Sequence, residues 1–389
     1  MRLTRADWVH LLMLWLGGID LRLTLLAIPP VIPLIHHELH LDEKAAGALV
    51  SLPVLVLAIA AVPGSLLIAK LGVRGALIAG LGFIALFGAV RGIGPSTPVI
   101  FSATFLMGVG IAVSQPAFPA LVREWFPRRI AIATAAYTNG ILIGETIPTL
   151  FTTPVGVLTA AHGDWRWAIA SWSAIVLVTG VVIVVTVPRS IRSEARSRWW
   201  PSWREGQTIR VGLVMGMASA VYFASNAYIP DFLDQTGRHQ LIAPTLAVLN
   251  ASQLLTAPAV IIWSDLLTGR LSFIGSSALM AVAQIGLIFA PGPFVLPCAF
   301  VLGFACALTF IAALTVPARM AAAGDVHRMS AALLTLQYGT GFAFSLIAGA
   351  LWDASGIAVF AFVPGLGAAG AMYWLSRPLK LPAAQRAPS

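Results

Sequence analysis

The sequence predicts an all-α membrane protein of twelve transmembrane helices in two six-helix pseudo-symmetric halves, 1-187 and 210-389, joined by a linker over 188-209. Three observations lead there. The 389 residues are 58% hydrophobic and only 10% charged, whereas a soluble globule carries about a quarter Asp, Glu, Lys and Arg. Apolar runs near the roughly twenty residues needed to cross a hydrocarbon core of about 30 Å recur along the chain between short polar breaks. Basic residues gather in every second break. No run shows the alternation of an outer-membrane barrel strand, which leaves the helix as the spanning structure that satisfies its own backbone.

The spans fall at 8-35, 44-69, 74-91, 98-121, 131-157, 165-187, 210-230, 242-265, 271-290, 294-317, 329-352 and 356-375. The first is too long for the apolar core of a signal peptide and passes through Asp20 and Arg22 without a small-residue cleavage site, so residue 1 is expected to begin the mature chain. Prolines punctuate span 1 (Pro29, Pro30, Pro33), span 2 (Pro53, Pro63), span 4 (Pro116, Pro119), span 5 (Pro148, Pro154) and span 8 (Pro258). Each removes a backbone donor and bends its helix. Cys298 and Cys306 share one apolar run, away from oxidising solvent and without metal-ligand spacing, and read as packing residues. His36, His37 and His40 bunch at the outer end of span 1; a metal site is one reading, a solvated loop the favoured one. No phosphate-binding glycine loop and no nucleophile-base set occurs, so neither an enzyme nor a cofactor is expected.

The net charge of +9 would suggest a nucleic-acid partner in a soluble protein, but here its placement sets orientation instead. Nineteen Lys and Arg lie in one alternating set of breaks and at the termini, among them Lys70, Arg74, Arg123, Arg128, Arg129, Arg270, Arg319 and Arg328. Only Lys44, Arg91, Arg166 and Arg238 lie in the other. The positive-inside rule then places both termini and the central linker in the cytoplasm. The linker's Trp199, Trp200 and Trp203 beside arginines suit a segment at headgroup level, with lipids as its partners.

Two halves built on one plan are suggested by residues at a near-constant offset. Gly108, Ala112 and Ser114 in span 4 match Gly303, Ala307 and Thr309 in span 10, and Gly144 matches Gly339. Pro33 and Pro230, and Gly72 and Gly269, are offset by nearly the same amount. A parallel duplication of this kind places a solute site between the halves at mid-membrane.

Ionisable groups inside spans are the strongest chemical signals, because a charge at the bilayer centre costs at least about 2.5–3.5 kcal/mol. Asp20 and Arg22 lie in span 1 and Glu145 in span 5. Two residues apart on a helix, Asp20 and Arg22 point roughly 200° away from each other and need separate partners. Glu145 lies on a polar stripe with Thr138, Thr149 and Thr152 and is the candidate counter-ion of Arg22. Two readings stand: a fixed ion pair that holds helices together, or Arg22 as contact for an anionic or dipolar solute, with Glu145 and Asp20 in coupling or charge compensation. Neutral polar residues on inward-looking stripes extend the candidate set: Gln115 in span 4, Tyr222 and Asn226 in span 7, Asn250 and Gln253 in span 8, and Gln337 in span 11. Each is equally readable as an interhelical hydrogen bond.

Ala69-Lys70-Leu71-Gly72-Val73-Arg74 between spans 2 and 3, with twelve spans and a central linker, resembles the major facilitator superfamily, whose loop there reads Asp-Arg-x-Gly-Arg-Arg. Ala69 replaces the aspartate and Val73 an arginine, so the gating contact ascribed to that aspartate does not carry over. Within the superfamily, several stretches resemble the cyanate and nitroimidazole permease family: Leu21-Arg22, Leu52-Pro53-Val54-Leu55, Pro119-Ala120-Leu121-Val122-Arg123, Gly163-Asp164-Trp165-Arg166, Tyr228-Ile229-Pro230 and Gln337-Tyr338-Gly339. The resemblance implies a permease of the bacterial inner membrane, a monomer that moves a small, often anionic solute, with protons as a possible coupling ion. Asp20, Leu23, Glu145 and Cys306 depart from the family pattern, which leaves the solute open.

Overall fold

A run of Leu, Ala, Val and Ile in hydrocarbon finds no water for its peptide groups, so the backbone must bond to itself, and helices account for nearly all the described chain. The computed structural model describes residues 4–41, 43–94, 96–152, 164–186, 200–322 and 324–381. Helix α1 (Arg5–Leu23) starts at a capping box in which Thr4 Oγ1 accepts the Asp7 N–H and the Asp7 carboxylate accepts the Thr4 N–H. Pro29 and Pro30 then withhold two donors. The chain continues through two 3₁₀ turns, Leu25–Ala27 and Pro29–Val31, bent 43° from α1, before α2 (Ile32–Leu39).

Helix α3 (Glu43–Ile93) runs for 51 residues, about 75 Å at 1.5 Å per residue and more than twice a bilayer core. Gly72, at φ 74° and ψ 172°, divides it. Only glycine enters that region without strain, and the break falls where the sequence puts the loop between spans 2 and 3. The remaining elements are α4 (Thr97–Ser114) and α5 (Ala117–Trp125), broken at Pro116, then α6 (Ile130–Phe151) and α7 (Trp165–Thr186). They are followed by α8 (Gly206–Gln235), α9 (Ile242–Leu254), α10 (Thr256–Ile262), α11 (Ser264–Leu267) and α12 (Arg270–Phe289). The chain closes with α13 (Val295–Met320), α14 (Val326–Ser355) and α15 (Val363–Ser376). Ten helices are long and apolar enough to cross a bilayer, or eleven with the bent first pair. A division of α3 at Gly72 is consistent with the twelve spans expected.

The chain forms two compact units: Met1–Pro127 with Ala136–Pro201 and Ala322–Ala331, and Arg128–Ala135 with Ser202–Ala321 and Ala332–Ser389. In the first, α1 and α6 approach closely because both carry glycine at the contact. A Cβ on Gly18 would lie 2.2 Å from the Tyr137 carbonyl oxygen, and one on Gly144 would lie 2.5 Å from that of Ile19. Trp15 Nε1 donates to Asn139 Oδ1 across the same contact at 3.0 Å. In the second, α8 meets α14 in a comparable way, Gly216 facing Thr340. Large apolar side chains such as Val185, Phe289 and Ile59 point outward, as a surface in lipid requires. Residues 187–199, which hold most of the expected linker, lie outside the described residues, as does the side chain of His36.

Candidate functional site

The proline break after α1 places Asp20 and Arg22 in the last turn of a helix that stops inside the fold. A cation at a helix C-terminus meets the negative end of the macrodipole, which favours Arg22 where it stands. Its side chain is 7% exposed, and its Nε lies 3.2 Å from Glu145 Oε1 on α6. Glu145 is 30% exposed, so this pair is open on its carboxylate side. Asp20 turns the other way, as its spacing from Arg22 requires. Fully buried, it accepts through Oδ1 a hydrogen bond from Thr179 Oγ1 on α7. Its second oxygen, Oδ2, is buried with no hydrogen-bond partner among the described residues. The structure therefore separates the three charged candidates into a pair on the α1–α6 contact and a lone carboxylate on the α1–α7 contact.

In the second unit four neutral candidates form one network. Tyr222 on α8 donates through its hydroxyl to Asn250 Oδ1 on α9 at 2.7 Å, and Asn250 Nδ2 donates to Asn226 Oδ1 at 3.0 Å. Gln253 Nε2 donates to the same Asn250 oxygen at 3.3 Å, and Asn226 Nδ2 closes back on the Tyr222 carbonyl at 3.1 Å. Tyr222 and Asn226 are one turn apart, as are Asn250 and Gln253, so two short stripes suffice to meet across one helix contact. Gln115 and Gln337 are not part of this network. Gln115 is buried where α4 gives way to Pro116, its backbone N–H bonded to Ile111. Gln337 is buried on α14 with Oε1 unpartnered among the described residues.

Arg91 requires a correction. Counted above as a loop residue, it lies inside α3 at 1% exposure, because the helix continues to Ile93. Its Nη1 donates to the Thr24 carbonyl at 3.0 Å, which caps the end of α1. The signal was present in the sequence: Val90 and Gly92-Ile93 flank it, so the apolar run does not stop there. Cys298 and Cys306 are both free thiols, Cys306 buried within α13.

A chain of membrane-crossing helices in two units, with a polar centre in each, defines a class, and the sequence pattern of the Major Facilitator Superfamily matches residues 14–272, well over half of the chain. The protein belongs to that superfamily and is a multi-pass membrane protein. It is 27% identical over 220 residues to the uncharacterized transporter YycB of Bacillus subtilis, covering 56% of this chain and 54% of that one. It is 23% identical to the cyanate transport protein CynX of Escherichia coli, over 61% of this chain and 62% of the other. With the 2-nitroimidazole transporter of Escherichia coli it shares 26% identity over 70% of both chains. The matched region thus spans between half and two thirds of the first two relatives. Among solved structures, the proton:xylose symporter XylE shares the fold at TM-score 0.75 and 14% identity, covering 94% of each chain.

Proposed function

We propose that this protein is a secondary transporter of a small, anionic or strongly polar organic solute, resident in the bacterial inner membrane with both termini cytoplasmic. In this reading residues 1-187 and 210-389 are the halves, 188-209 the linker, and transport proceeds by alternating access. The observation that carries it is Arg22, a nearly buried arginine at an interior helix end whose counter-ion is partly open. A fixed structural pair gains nothing from that opening. A solute carboxylate, nitro group or cyanate replaces Glu145 as the partner of Arg22 without leaving the guanidinium uncompensated. Tyr222, Asn226, Asn250 and Gln253 offer neutral donors and acceptors from the second unit, and Gln115 and Gln337 are further contacts.

Asp20 and Glu145 are the coupling groups of this proposal. The single hydroxyl proton of Thr179 is within reach of both Asp20 Oδ1 and the Ile175 carbonyl. With Asp20 protonated, its own proton bridges to Thr179 while Thr179 donates to Ile175, so all three groups are satisfied. The relatives named for cyanate and 2-nitroimidazole support a small polar solute. Uptake by proteoliposomes under an imposed pH gradient, tested first with cyanate and small carboxylates and then with organic cations, is expected to respond to an anion or nitro compound. Uptake of cations alone would favour the second reading, an exporter of cationic solutes drawn to Asp20.

A further inference from the structure

Three buried polar side chains in the first unit converge without satisfying one another. Among the described residues Arg91 is the largest fully buried side chain, and its Nη1 donates to the Thr24 carbonyl at 3.0 Å and to Met107 Sδ at 2.8 Å. Its Nε is buried with no hydrogen-bond partner among the described residues, and none of their carboxylates forms an ion pair with it. Thr24 and Ser173 are both buried, and each hydroxyl lacks a hydrogen-bond partner among the described residues. Other helical hydroxyls, such as those of Thr104 and Thr179, bond back to the carbonyl one turn earlier.

Gly88 explains how these groups come together. It precedes Arg91 by three residues on α3, hence on the same face. A Cβ there would stand 2.5 Å from Ser173 Oγ and 3.1 Å from Thr24 Cγ2. The glycine therefore lets α3 pack directly against Ser173 Oγ on α7 and the Thr24 methyl at the end of α1, with the Arg91 guanidinium one turn along. Unpartnered buried polar groups are costly and normally signal a water or an ion. Water satisfies the hydroxyls and leaves the charge uncompensated; an anion accepts from all three groups and neutralises Arg91.

We propose that Arg91, Thr24 and Ser173, over Gly88, form a binding site for a small monovalent anion of halide or pseudohalide size. This site is separate from the Arg22–Glu145 pair, which faces α6, and does not depend on the transported solute. The test is the thermal-unfolding midpoint of the purified protein in neutral detergent, titrated with sodium chloride, bromide or iodide against gluconate at constant ionic strength. A saturable rise is expected for at least one of these anions. Arg91→Gln is expected to weaken its apparent affinity at least tenfold, and Gly88→Ala to remove it by pushing Ser173 and Thr24 away from α3. Should either variant fail to fold, the double variant Thr24→Val/Ser173→Ala keeps the charge and deletes two ligands, and the same weakening is expected, whereas Gly339→Ala leaves the response intact. A wild-type response no different from gluconate, or one unchanged in the Arg91 and hydroxyl variants, overturns the proposal. A response lost only in Arg22→Gln also overturns it, while leaving the transport reading standing.

Discussion

Arg22 and Asp20, separated by one residue on α1, answer to different neighbours, and each makes a different demand on a variant. Replacing Glu145 by Gln removes the counter-charge of a nearly buried guanidinium and is expected to cost about 1–3 kcal/mol, seen as a lower unfolding midpoint in detergent. The double variant Arg22→Gln/Glu145→Gln removes both charges. It should recover part of that loss, and strict additivity of the two single changes would show that the pair is not coupled. For Asp20, the proposed proton carrier, Asp20→Asn should suppress gradient-driven accumulation while sparing solute exchange across the membrane. Equal loss of both would place Asp20 in the architecture instead. The opposed directions of Asp20 and Arg22 were legible from a spacing of two residues, and Glu145 was legible as a charge on a polar helix face. Thr179 was not, because a threonine in an apolar span carries no signal until its neighbour across the helix contact is known. Arg91 was misplaced because hydropathy fades at a charge whether or not the helix ends there.

At the level of elements, the site depends on where α1 stops and how closely it meets α6. Gly144→Ala introduces a Cβ 2.5 Å from the Ile19 carbonyl oxygen, so α1 must move away and the Arg22–Glu145 contact lengthens. A lower unfolding midpoint together with reduced transport is expected. Gly339→Ala is the control, since nothing lies within 4 Å of a Cβ there. The sequence offset pairs these two glycines, yet only Gly144 is at a tight contact, because a repeat in sequence fixes helix position and not the packing of each residue. A second element-scale contact straps α2 to α7: Glu38 accepts from Trp165 Nε1 and pairs with Arg166. The Trp165 N–H, and then Arg166, hold the Glu38 carboxyl below its ordinary value. The contribution of this strap, about 0.2–1 kcal/mol for a half-exposed pair, is complete above the unfolded glutamate value near 4.3. It fades as pH falls through the lower folded value. The midpoint of Glu38→Gln should therefore trail the wild type at pH 7 and approach it in acid; a gap that does not narrow would mean the carboxylate charge is not what stabilises the strap.

For the whole molecule, the expectation of twelve crossings follows from composition and run length, both readable in the sequence, and the glycine break in α3 is consistent with it. The division of the neutral candidates was less so. Tyr222, Asn226, Asn250 and Gln253 form a network because α8 and α9 touch, whereas Gln115 and Gln337 occupy comparable stripes and stay out of it. Stripe position says which side of a helix is polar; which stripes meet is decided by packing. The protein belongs to the superfamily, and the proposal that it is a transporter whose Arg22 receives the solute is the central claim. The most direct test is initial-rate uptake of the solute identified in the proteoliposome panel, measured in parallel for wild type, Arg22→Ala and Arg22→Lys at equal reconstituted amounts. Both variants should reconstitute normally and give rates indistinguishable from empty liposomes, since lysine keeps the charge but lacks the planar, two-pronged donor set. Uptake at the wild-type rate by either variant would contradict the assignment.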